Sequence, residues 1–345
     1  MLNEKVNIET KPNKDIELSM SVDVEGQDKQ GQWHKLRRAA LRHPGLLRIV
    51  ILLIVVLLGA FERTRFLSES SLVSVLLASS AIALLATGES FVMIRGKFVD
   101  LSVGATASAG AVVAALLADR GLLITVVGVV GVGVVIGLVN GTAIAMFQGN
   151  SIIVTLGLAS VIGAVSLGGT GGKSLTIPQG TLSRLGATSL GGIPVPIIFT
   201  FLLIVITSIY FSHSRWGRSL ALSGDNELAV RNSGQRIVSS TFVAFILCGV
   251  FSALGGLVLA SYVGTLDFSI GASLALPAIG GAVIGGVSLF GGQGLPWQAG
   301  IGALILGFIE SVLLVFGFST YQEEIVEGLL IIGIVFATER LLKNS

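Results

Sequence analysis

The chain has 345 residues, 52% hydrophobic and 12% charged, with a mean hydropathy of +0.88. A soluble domain carries roughly 25% charged residues, so a water-soluble globule is excluded, as is chain-long disorder, which needs low hydrophobicity and high charge. A net charge of +2 gives nucleic-acid binding no support, and a single cysteine, Cys248, excludes an intrachain disulfide. An all-α, polytopic membrane protein remains.

Residues 1–44 read as a polar, flexible, cytoplasmic tail. Residues 1–48 hold 9 Lys and Arg and 7 Asp and Glu, and the first apolar run begins near Leu46, too late for a secretory signal. From there to residue 345 the chain reads as one transmembrane domain. Spans are predicted at about 45–61, 71–94, 102–118, 122–147, 150–167, 194–212, 237–263, 276–292, 297–318 and 322–341, since about 20 apolar residues cross a bilayer. The first is short and spans only if Arg48 snorkels. The glycine-rich eighth is expected to be broken. With both termini inside, 17 basic residues fall on cytoplasmic segments and 5 outside, as the positive-inside rule requires for ten spans.

Asp100-Leu101-Ser102-Val103-Gly104-Ala105 recurs as Asp267-Phe268-Ser269-Ile270-Gly271-Ala272. Five predicted spans separate the copies, an odd number, so they face opposite sides of the membrane. That is the mark of an inverted-topology repeat, common among transporters. Ionisable groups inside spans are costly and point to function. Glu89 and Glu310 lie within spans, and Asp100 and Asp267 sit at span boundaries. The two aspartates, with Ser102 and Ser269, suit either helix capping or contact with solute. Gly133, Gly137 and Gly141 form a stripe for close helix packing. Gly168 to Ser174 has the look of a phosphate loop, but position 167 is Leu where the motif needs Gly. The three histidines, His34, His43 and His213, lie outside apolar runs. No metal site and no cofactor is therefore expected.

The hydrophilic stretch at about 213–236 contains Gly224-Asp225-Asn226-Glu227-Leu228-Ala229-Val230-Arg231-Asn232-Ser233-Gly234. Asp225 or Asn226 can cap a short helix with Glu227 in its first turn, Arg231 in its last and Gly234 at its end. Such a helix in a cytoplasmic loop can dock a partner rigidly.

From about Ser71 to Leu342 the chain resembles the membrane-spanning subunits of bacterial carbohydrate ABC importers, of the ribose and autoinducer-2 type. Asp100 to Gly104 is similar to that family's D-L-S-V-G, and Ile153-Val154-Thr155-Leu156-Gly157 to its fifth-span motif. Residues 224–234 resemble its G-x-N-E-x-A-x-R-x-S-G coupling region, and Gly286-Val287-Ser288-Leu289-Phe290-Gly291-Gly292-Gln293-Gly294 its G-G-x-S-L-x-G-G-x-G. The chain departs at Gly96-Lys97-Phe98-Val99, where members commonly read G-G-I, and at Glu310-Ser311, where many carry Asn-Asn.

The resemblance implies a helix bundle of ABC importer permease type, moving a sugar or sugar-like solute across the inner membrane. It also implies partners: a second permease subunit, two cytosolic ATP-binding subunits that hydrolyse the ATP, and a periplasmic or lipid-anchored solute-binding protein. Asn226, Glu227, Ala229, Arg231 and Gly234 become the expected coupling surface, and Glu89, Asp100, Ser102, Asp267, Ser269 and Glu310 the expected pathway or gating residues. An ion-coupled secondary transporter is the alternative on residues alone. A permease for nucleosides or branched amino acids is the alternative within ABC importers.

Overall fold

The computed structural model describes residues 68–234 and 237–343. The predicted tail and first span lie outside the described residues. In chain order the helices are α1 (Glu69–Arg95), α2 (Val103–Leu117), α3 (Leu122–Gly141), α4 (Ser151–Thr170), α5 (Thr181–Ala187), α6 (Val195–His213), α7 (Arg215–Asp225), α8 (Glu227–Asn232), α9 (Ile237–Val263), α10 (Ala275–Ile284), α11 (Pro296–Val315) and α12 (Thr320–Lys343). Seven of them are long and apolar enough to cross a membrane: α1, α2 with its 3-10 extension to Arg120, α3 with a π turn to Met146, α4, α6, α9 and α11. The chain is an all-α membrane helix bundle. Its only strands among the described residues are two-residue pairs: β1 (Leu175–Thr176) with β4 (Thr265–Leu266), and β2 (Ser189–Leu190) with β3 (Ile193–Pro194), both antiparallel.

The local chemistry sets these boundaries. Asn150 Oδ1 accepts the Ile152 and Ile153 amides at the start of α4, and Gly171 closes it in the left-handed region at φ +59°. The glycines after Leu167 thus end a helix and do not form a phosphate loop. Pro196 sits in the first turn of α6, where its missing amide costs nothing. The glycine-rich eighth segment is interrupted as expected: α10 stops at Ile284 and turns follow.

Helix α9 is the centre of the bundle. Its most apolar window is 72% buried, against 17% for the peripheral α4. Lipid supplies no hydrophobic drive between helices, so close backbone approach has to hold them. The Gly133, Gly137 and Gly141 stripe of α3 provides it within this chain. A Cβ on Gly133 would lie 2.6 Å from the Gly249 carbonyl oxygen, one on Gly137 2.5 Å from that of Phe245, and one on Gly141 3.0 Å from the Phe242 ring. Gly133→Ala should therefore lower stability by about 1–3 kcal/mol, the usual range for overpacking. Gly131→Ala on the same helix meets nothing within 4 Å and should be neutral or mildly stabilising, since alanine favours helix over glycine by about 1 kcal/mol. Thermal unfolding of the two purified variants in detergent checks the contrast.

The repeat is visible in the packing. α1, α2, α3 and α4 correspond in order to α9, α10, α11 and α12. α9 packs on α2 and α3 as α1 packs on α10 and α11, and α4 packs on α2 as α12 packs on α10. The corresponding helices α1 and α9 are antiparallel, for Gly88 meets Cys248 and Phe251 while Gly255 meets Ala81 and Leu85. The two sequence copies meet at one point. A Cβ on Gly104 would lie 2.6 Å from the Gly271 carbonyl oxygen, and one on Gly271 2.7 Å from that of Gly104. Equivalent residues touch reciprocally in this way only beside a two-fold axis.

Candidate functional site: a buried carboxyl hub and the loop that reaches it

Between α1 and α2 the chain does not stay at the bundle's end. After Arg95, residues 96–102 run back inside in non-helical form, and α2 starts from within the protein. Glu89 Oε2 accepts from Cys248 Sγ at 3.5 Å. Cys248 lies eleven residues, or about 17 Å, into α9. Irregular backbone at that depth is tolerated only where protein satisfies it, and here side chains do so. Glu89 Oε1 accepts the Asp100 amide at 2.9 Å. Thr155 Oγ1, on α4, accepts the Leu101 amide at 3.0 Å. Asp100 Oδ1 accepts the Ser102 amide at 2.8 Å and the Ser102 hydroxyl at 2.5 Å. Asn140 Nδ2, on α3, donates to Asp100 Oδ2 at 3.1 Å and to Ser102 Oγ at 2.9 Å. Glu89, Ser102, Asn140 and Thr155 have no exposed surface, and Asp100 has 2%.

Three of the predicted residues, Glu89, Asp100 and Ser102, thus converge on one hub. The aspartate does not cap α2 in the usual sense. It ties the turn ahead of the helix, and Ser102 makes no side-chain cap bond. Sequence reasoning missed Asn140, Thr155 and Cys248. Asn140 carried a signal, as an amide inside a 20-residue apolar helix that has to find partners.

The second copy repeats the turn and not its setting. Asp267 Oδ1 accepts the Ser269 amide and hydroxyl, both at 2.9 Å, but both residues are exposed. The residue corresponding to Asn140 is Glu310. Gly137 packs on Ile246 and Gly307 on Ser79, and Ile246 and Ser79 are separated by the same 167 positions as Asp267 and Asp100. Three residues on from those glycines stand Asn140 and Glu310. Glu310 is half-buried and within electrostatic range of Glu323 and Glu327 on α12. One carboxylate oxygen of each of those two has no hydrogen-bond partner among the described residues. The predicted six therefore divide into a closed hub and a separate second-half set. Among the described residues, no group of three His, Cys, Asp or Glu side chains could hold a metal ion.

The hydrophilic loop is two helices, where one was expected. In α7, Leu220 is fully buried, and Trp216 packs tilted against Phe91 and edge-to-face against Phe211 at ring distances of 5.8 and 5.9 Å. Asn226 Oδ1 then caps α8 by accepting the Ala229 amide at 3.0 Å. Gly234 follows at φ +78°, a left-handed geometry that glycine adopts at no steric cost. Glu227, Ala229 and Arg231 are exposed. Glu227 also turns inward: its Oε2 lies 3.4 Å from Nη2 of Arg95, a side chain only 4% exposed. The junction of α7 and α8 is closed by glycine. A Cβ on Gly224 would run into the Ile94 carbonyl oxygen, one on Gly291 would run into Gly96, and the Gly292 amide donates to the Ile94 carbonyl at 2.9 Å.

An inverted pair of helical halves, broken inside the bundle and joined by a capped polar loop, defines a polytopic membrane permease. The chain belongs to the family described as branched-chain amino acid transport system / permease component, whose model matches residues 71–335. It is 31% identical over 295 residues to the autoinducer 2 import system permease protein LsrC of Salmonella typhi, covering 85% of this chain and 84% of that one. It is 31% identical over 299 residues to the D-allose transport system permease protein AlsC of Escherichia coli K12, covering 86% and 91%. No solved structure matches.

Proposed function

We propose that this chain is the membrane-spanning subunit of an ATP-driven importer for a sugar or sugar-like solute in a bacterial inner membrane, with both termini in the cytoplasm. It works with a second permease subunit, two cytosolic ATP-binding subunits and a periplasmic or lipid-anchored solute-binding protein. The observation that carries the reading is α8, a capped helix between the two repeat halves, with Leu228 71% exposed beside the exposed Arg231. An apolar side chain so exposed on a polar helix suits a partner's groove. The family description names branched-chain amino acids, but the relatives at 31% identity are import permeases for autoinducer 2 and D-allose. They favour a hydroxylated solute, for which carboxylates and hydroxyls are fitting partners.

In this reading α8 presents Leu228, Ala229 and Arg231 to an ATP-binding subunit, with Asn226 and Gly234 fixing its two ends. Glu310, Asp267 and Ser269 line or gate the solute's route. The Glu89, Asp100 and Ser102 hub sets the break from which the route's walls pivot. Leu228→Glu with Arg231→Glu should cut recovery of the ATP-binding subunits with the permease about tenfold, roughly 1.4 kcal/mol of association. Solute uptake should fall with it. Normal recovery and uptake would remove α8 as the docking element. Uptake by the unaltered complex should survive a protonophore and fail on ATP depletion; the reverse would favour an ion-coupled carrier.

A further inference from the structure

We infer that Arg95 is a positioning residue that couples α8 to the transmembrane hub, and that Glu227 serves this latch instead of the docking surface. The inference rests on the permease reading above and reassigns one residue within it. Arg95 is the last residue of α1, and its guanidinium bonds three other elements. Nε donates to Thr241 Oγ1 on α9 at 2.7 Å, Nη1 to the Ser223 carbonyl on α7 at 3.4 Å, and Nη2 pairs with Glu227 on α8. Its Cζ also lies over the Phe98 ring, 5.5 Å from the centroid. A planar group with five donors can hold such a fork, and a lysine cannot.

Glu227 is the exposed end of this fork, at 61%. It hands whatever moves α8 to a side chain that is otherwise inside the protein. From Arg95 the same helix runs about 9 Å to Glu89, whose carboxylate holds the Asp100 amide. The ion pair also borders a cavity of about 960 Å³ lined by Phe98, Ile144, Met146, Arg231 and Phe242, so one side of α8 faces open space while Val230 anchors the other. The interaction between Arg95 and Glu227 is the quantity that a double-mutant comparison reads.

The test uses Arg95→Gln, Glu227→Gln and their combination, with Arg95→Lys as the conservative variant. In the complete complex in proteoliposomes, Glu227→Gln should leave recovery of the ATP-binding subunits within about twofold. It should lower the stimulation of ATP hydrolysis by loaded binding protein about fivefold or more, the lower end of typical coupling. Arg95→Lys should restore part of the stimulation lost in Arg95→Gln. Reduced recovery in Glu227→Gln would make it a docking residue, and unchanged stimulation would remove the latch; either overturns the inference. A readout on the permease alone separates this from failure of the permease reading. Hydrogen exchange at the Val230 to Asn232 amides should speed up in each single variant, and the combination should be no faster than the faster single. Additive effects, or none, would overturn the latch even if no ATP-binding subunit were ever recovered. Arg95 variants that fail to fold leave Glu227→Gln, at an exposed position, to decide.

Discussion

Asp100→Ala is expected to be the most damaging single truncation in the hub. It removes the acceptor of the Ser102 amide, the Ser102 hydroxyl and the Asn140 amide group at once, in a place almost closed to water. A buried donor left without a partner costs about 1–3 kcal/mol, so three newly orphaned donors put the loss at about 3 kcal/mol or more. Asn140→Ala should cost less. It deletes interhelical bonds, which in membrane proteins average about 0.6 kcal/mol, and it leaves the Asp100 to Ser102 turn intact. Asp100→Asn should fall between, because its carbonyl oxygen still accepts from Ser102 while its amide confronts the Asn140 amide. Folded yield and unfolding midpoint in detergent should rank wild type, Asn140→Ala, Asp100→Asn, Asp100→Ala from best to worst. If Asn140→Ala proves as costly as Asp100→Ala, the amide is the true keystone and the turn depends on it.

Gly224→Ala should be the second severe lesion, by a different route. Here nothing polar is lost. The added methyl has no place to go, because it is aimed at backbone: the Ile94 carbonyl on one side and the Gly292 amide on the other. Backbone at a three-way junction of α1, α7 and the turn after α10 cannot rotate aside as a side-chain tip can. The expected outcome is loss of the folded protein, or survival with α7 and α8 displaced by at least the width of a methyl group. Protease nicking between Asp225 and Ile237, resisted by the wild type and rapid in the variant, would report the second case. If Gly224→Ala matches wild type in both yield and nicking, the junction is looser than its geometry indicates.

Most of the architecture was legible in the sequence because lipid forces a simple code: long apolar runs, breaks at glycine and charges at ends. Nine of the ten predicted spans fall among the described residues, each within a few residues of an observed helix or, at 276–292, of a broken one, and seven of those helices are long and apolar enough to cross a membrane. The capped α8 could be read from Asn226, Glu227 and Gly234, since capping is local. Pairing across the bundle could not be read. Arg95 looked like one more basic residue flanking a span, and nothing in its neighbours indicates Thr241, 146 positions on, or Glu227. Glu227 likewise looked like a helix-starting acid free to face a partner. Thr155 sat in a recognisable motif, but its work, holding the Leu101 amide, depends on a fold that brings α4 beside the non-helical segment ahead of α2. The glycines of Gly291-Gly292 belonged to a motif without an evident reason until Gly96 and Gly224 were found against them.

The two repeats have drifted apart in how firmly their turns are held. In the first, an amide clasps the Asp100 turn, and every other arm of the hub closes around it. In the second, the matching turn at Asp267 stands open, and the counterpart of the amide is Glu310, which when ionised can only accept and faces two more carboxylates. An ancestral duplication of this kind would begin with two equal leaves. What it has become is unequal: a clasped turn in the first half and an open one in the second, joined where Gly104 and Gly271 touch.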